Sequence, residues 1–160
     1  MNTLAAMPQS KRLVAATPFL VVAFVAIVAG GAVAAASAHA PNQRLVWMVA
    51  YLVLVVGVAQ AILGGGQALL AHGLPSGRTR VAQCLLFNTG NAGVVVGTMS
   101  SALSLVWVGI LLFVAALVMF LLATRVANKG WQLYVYRMIL LLVGTGAIIG
   151  LVMASTHVMS

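Results

Sequence analysis

The chain has 160 residues, of which 64% are hydrophobic and 5% charged, and it carries eight Lys and Arg but no Asp or Glu. A soluble domain averages about 45–50% apolar and about 25% charged residues, so this composition excludes an ordinary water-soluble globule and a disordered chain. The missing carboxylates exclude paired-carboxylate hydrolysis, Ser-His-Asp relays, Mg²⁺ or Ca²⁺ cages and acidic proton relays. The reading that remains is an all-α integral membrane protein, a single transmembrane helical domain over 1–160.

The polar segments are short: 1–12, 39–44, 72–80, 125–132 and 156–160. None can fold as a soluble domain, so function must reside within the helices or at their ends. Lys11 and Arg12 precede the first apolar run, 13–38. Its end, Ser37-Ala38-His39-Ala40, looks like a small-residue cleavage site. The run exceeds the roughly 7–15 residues of a signal-peptide core, and Pro41 follows the candidate cut directly. A retained first helix is expected.

The second apolar run is 45–71, the third 81–124 and the last 133–155. As one helix the third would be about 66 Å long, roughly twice the ~30 Å hydrocarbon core. The uncharged serine cluster Ser100-Ser101-Ala102-Leu103-Ser104 is the natural break. It divides the run into spans 82–100 and 103–124.

Charge discriminates between four spans and five. With four, the cations fall evenly on the two sides. With five, Lys11, Arg12, Arg78, Arg80, Arg125, Lys129 and Arg137 share one side and Arg44 stands alone on the other. The positive-inside rule selects the second arrangement. The expected fold is a five-transmembrane-helix bundle, N-terminus cytoplasmic and C-terminus outside, with four spans as the alternative. Trp47, Tyr51 and Trp107 then fall near the outer interface, and Trp131, Tyr134 and Tyr136 near the inner one.

Lipid offers no hydrophobic force between helices, so small residues that admit a neighbouring backbone mark contact faces. The second span has Ala50, Gly57, Gly64 and Ala71 at seven-residue spacing. The third has Gly93 and Gly97, and the fifth Gly146 and Gly150. The fourth is apolar nearly all round apart from Gly109 and Ala115-Ala116, and is expected to be the most lipid-exposed.

Neutral polar residues lie deep in two spans: Gln60 and Gln67, then Asn88, Thr89 and Asn91. Unpaired, such groups are costly in lipid. Counting depth from the inner ends predicts a seam in which Gln60 faces Asn91 and Gln67 lies towards Asn88. The seam reads as interhelical glue or as a site for a quinone, a haem edge or a small solute.

His39 and His157 fall at the same membrane face, and Met153 shares a helical face with His157. Imidazole with thioether suits copper, and two histidines suit haem. No phosphate loop, zinc spacing or nucleophile elbow is present, and no cofactor is expected on the leading reading. Cys84 is the single cysteine, so no intrachain disulfide forms. The pI near 11.4 reflects cations at span ends that meet anionic lipid headgroups and does not indicate nucleic acid.

The Ala- and Val-rich composition suggests a bacterial cytoplasmic (inner) membrane. The leading functional expectation is a non-enzymatic accessory or self-associating membrane component, as a homo-oligomer or within a larger membrane complex. A haem- or copper-binding redox subunit using His39 and His157 is the alternative. A small-solute transporter or channel is a further one, disfavoured because no ionisable residue lies deep in a span.

Overall fold

The computed structural model describes residues 8–40, 42–125, 127 and 130–158, with side chains described as far as 147. Among the described residues the chain is all helical: α1 (Gln9–Ala36), α2 (Gln43–Leu70), α3 (Gly77–Met99), α4 (Leu103–Ala123) and α5 (Trp131–Val158). α1, α2 and α4 are each long and apolar enough to cross a membrane. α3 is more polar because it carries Arg78, Arg80, Gln83, Asn88 and Asn91.

Local chemistry sets the helix ends. Asn42 caps α2 by accepting from the Leu45 amide at 2.9 Å, and Ser76 caps α3 by accepting from the Thr79 amide at 3.1 Å. At the serine cluster α3 closes in a Schellman motif. The Ala102 amide donates to Gly97 O at 2.8 Å and the Ser101 amide to Thr98 O at 3.4 Å. Ser101 takes the left-handed conformation this requires, φ 56°, a position usually held by glycine. α4 then starts at Leu103.

α1 and α2 are antiparallel. Phe19 of α1 seats against Gly64 of α2, Ile27 against Gly57, and Val53 of α2 reaches into the space over Gly30. Arg12 fastens the open end of this hairpin. Its guanidinium donates to Ala68 O at 2.7 Å, Leu69 O at 3.0 Å and Ala71 O at 3.3 Å, carbonyls of the last turn that have no partner within the helix. Arg12→Ala is expected to cost about 1 kcal/mol. Hydrogen exchange would check this, with faster amide exchange confined to residues 66–71.

α3 and α4 form the second hairpin and the closest backbone contact of the molecule. Gly90, Gly93 and Gly97 of α3 line up opposite Gly109 and Val106 of α4. α5 bridges the two hairpins, packing on α4 and α2. All five helices meet in one cluster built on Phe19, Leu63, Phe87, Phe113, Phe120, Tyr136 and Leu140. Its rings pack edge to face or tilted: Phe19 on Phe120 at 5.4 Å, Phe120 on Phe87 at 6.3 Å and Phe87 on Phe113 at 5.0 Å.

Two expectations are corrected. α4 is not the most lipid-exposed helix: Val106, Gly109, Ile110, Phe113, Ala116, Leu117 and Phe120 are buried, and it packs on both α3 and α5. Tyr136 is not an interfacial ring. It is 3% exposed and donates to Leu63 O at 3.2 Å, its ring lying over the bare face at Gly66. A Cβ at Gly146 would meet no described atom within 4 Å, so the packing expected of it has no described partner. Gly150 lies outside the described side chains.

The hairpins bring Lys11, Arg12, Arg78, Arg80, Arg125 and Arg137 to one end of the bundle, the basic end. Arg44 stands at the opposite end, with His39 and the serine turn.

Candidate functional site

Two features of α2 set the site. Between Leu52 and Ala59 its turns widen into a π-helix, a local departure from α geometry that often accompanies function. α2 and α3 also make hardly any close backbone contact, although the loop joining them is short. Long polar side chains span the gap between them.

Gln67 and Gln83, both fully buried, form a reciprocal amide pair. Gln67 Nε2 donates to Gln83 Oε1 at 3.1 Å, and Gln83 Nε2 to Gln67 Oε1 at 2.7 Å. Further along, the Tyr51 hydroxyl donates to Asn91 Oδ1 at 2.7 Å, and Asn91 Nδ2 to Phe87 O at 2.8 Å. Between these pairs Gln60, 0% exposed, has only a long contact from Nε2 to Cys84 Sγ at 4.0 Å. Its Oε1 has no partner among the described residues.

The expected pairs are therefore replaced. Asn91 is engaged by Tyr51 and not by Gln60. Asn88 turns back along its own helix, Nδ2 donating to Cys84 O at 2.8 Å, and not to Gln67. Gln83 is the partner that the sequence reading omitted. It lies about 3 Å above the start of the apolar run at Val81, closer to the roughly 6 Å depth of Gln67 than Asn88 at about 10 Å.

Where the helices stand apart, a cavity of about 420 Å³ opens between α2, α3, α4 and α5. One wall is the π-segment, through Leu54, Val55 and Ala59. Val94 and Thr98 of α3 and Ile110 and Phe113 of α4 form the facing wall, and Gly146 and Ala147 of α5 leave the space unfilled. At the end nearer Arg44 lie Trp47 and Tyr51, their rings 5.1 Å apart and tilted by 31°. They pack against the Val94, Val106 and Ile110 cluster. From Trp47 to Ala59 the wall runs along the helix from one end of the bundle towards its middle. Among the described residues, no ionisable side chain other than the Tyr51 phenol belongs to the wall. The volume falls within the roughly 300–1,000 Å³ of small-molecule sites, which are mostly apolar with a few polar groups.

His39 is exposed in the turn after α1. Met153 and His157 lie outside the described side chains, so their expected approach to His39 has no described geometry. Among the described residues no three His, Cys, Asp or Glu come together. Comparisons with protein families, with curated proteins and with solved structures give no match to this chain.

Proposed function

We propose that this chain is a non-enzymatic accessory component of a bacterial cytoplasmic membrane and that it works by holding a lipid-soluble small molecule inside the bundle. The observation that carries this reading is the cavity of about 420 Å³ bounded by the π-segment. The space is partly open at the side of the bundle, where Leu54 and Leu142 are exposed, so a lipid-soluble molecule can enter it and supply the van der Waals contacts that an empty apolar space forgoes. The absence of any carboxylate in the sequence favours binding over chemistry. Chloroform–methanol extraction of protein purified in mild detergent, followed by mass spectrometry, tests it. One apolar molecule per chain is expected from the wild type and none from Gly146→Leu, which fills the space. Equal yields from both would remove the cavity from the mechanism.

The accompanying topology is five spans, N-terminus cytoplasmic and C-terminus outside. It is supported by the gathering of cations at one end of the bundle, opposite Arg44, in the sense the positive-inside rule requires. Reporter fusions at Arg78 and Lys129 are expected to read inside, and those within 99–104 and at Ser160 outside. An inside signal at Ser160 would exclude this topology.

A further inference from the structure

We infer that the cavity takes an uncharged, carbonyl-bearing amphiphile with a single long chain, of the prenylquinone or monoacylglycerol kind, its head against Trp47 and Thr98 and its chain running towards Ala59 and Phe113. The inference rests on the binding function proposed above and adds the chemistry of the ligand.

Three observations carry it. First, the polar groups are concentrated at one end. Trp47, Tyr51 and Thr98 are there, and the far end is Ala59 and Phe113. An elongated wall with that gradient matches a molecule having one polar head and an apolar body.

Second, the free hydrogen-bonding capacity at the polar end includes two donors. The Tyr51 hydroxyl is already committed to Asn91 Oδ1 at 2.7 Å. Trp47 Nε1 makes no hydrogen bond among the described residues, and neither does Thr98 Oγ1. Among the described helical threonines, Thr17 and Thr145 satisfy their hydroxyls on the carbonyls of Leu13 and Leu141, at 3.0 and 2.8 Å, and Thr89 and Thr98 do not. This back-bonding is the ordinary recourse of a threonine in a helix. Of the two that forgo it, Thr98 lies on the cavity wall. An indole N–H and a free hydroxyl together suit an acceptor, and a carbonyl oxygen is the uncharged acceptor of lipid-soluble molecules.

Third, among the described residues no cationic side chain belongs to the wall, and burying an anionic head without a partner is costly. The volume of about 420 Å³ also suits a ligand with one chain better than a whole diacyl phospholipid.

The test uses the full chain in zwitterionic phosphatidylcholine nanodiscs, with Trp107→Phe and Trp131→Phe so that Trp47 is the only indole. A short-chain prenylquinone and monoolein are titrated separately, and Trp47 emission is followed. Saturable binding of either at one per chain is expected. Affinity should fall about fivefold in Thr98→Val, the loss of one ordinary hydrogen bond, and at least tenfold in Gly146→Leu. The melting temperature of each variant verifies that the fold is kept. Response to the quinone alone or to monoolein alone identifies which source supplies the carbonyl. Binding of a plain branched hydrocarbon as tightly as either probe, unchanged in Thr98→Val, would overturn the inference while leaving the proposed function standing. Selective uptake of phosphatidylglycerol that is lost in Arg44→Gln would overturn it in favour of an anionic head. Absence of saturable binding by any of these probes would overturn the inference and the proposed function together.

Discussion

Gly109→Ala is expected to be one of the most damaging single-methyl additions among the described glycines, alongside Gly90→Ala. A Cβ at 109 would lie 2.7 Å from Gly90 O, 2.7 Å from Val94 N and 2.9 Å from Gly93 C. All three are backbone atoms of α3, so no side chain can swing aside and the two helices must separate. Overpacking of this kind typically costs about 1–3 kcal/mol, occasionally more. Gly65 and Gly146 supply the control, because a Cβ at either meets no described atom within 4 Å. Alanine there is expected to be neutral or to stabilise by about 0.4–1 kcal/mol through the helical backbone. Thermal unfolding in detergent should show a clear fall in midpoint for Gly109→Ala and none for the controls. Equal midpoints would mean that α3 and α4 are not in backbone contact.

Gln67→Leu is expected to destabilise more than the pair it breaks is worth. The substitution leaves Gln83, 0% exposed, with an amide that has lost both partners, at about 1–3 kcal/mol. Gln83→Leu does the same to Gln67. The double variant Gln67→Leu/Gln83→Leu removes both halves of the reciprocal pair and should recover most of the loss. In membranes such interhelical couplings average about 0.6 kcal/mol and reach about 1.7. A double-mutant cycle in detergent measures the coupling directly. Strictly additive losses would show that the two amides act independently.

Helix ends were more legible in the sequence than helix faces. Asn42 and Ser76 are ordinary N-caps, and the uncharged serine cluster coincides with the turn between α3 and α4. The buried face of α4 was illegible for a physical reason. In water an amphipathic stripe reveals which side is inside. Against lipid both sides are apolar, so Phe113 and Phe120 in the core read like Leu111 and Leu122 at the surface. The available signal was Gly109 itself, with Gly90, Gly93 and Gly97 at helical spacing in α3, since small residues mark close contact.

The site was legible as chemistry but not as geometry. Gln60, Gln67 and Asn91 are buried, as polar residues that must avoid lipid should be. Their partners were misassigned because depth was compared only among residues already singled out, which omitted Gln83 and Tyr51. The small-residue stripe in α2 failed at one member. Gly57, Gly64 and Ala71 are buried and Ala50 is exposed. Ala50 lies on the other side of the π-segment, where a count at constant α-helical pitch no longer holds.

That widened stretch of α2 carries an evolutionary implication. Inserting one residue into a regular α-helix rotates everything beyond it by about 100° and would turn a packed face outward. A π-bulge absorbs the extra residue locally, so the half of the helix bearing Gly64 and Gln67 keeps its phase while the half bearing Trp47 and Tyr51 is turned to a new one. Related proteins that lack the residue would keep the same hairpin and the same glutamine pair but present a different pair of side chains at the mouth of the cavity. Gain or loss of a single codon between 52 and 59 is thus a route by which such a bundle changes the lining of its cavity without rebuilding its core.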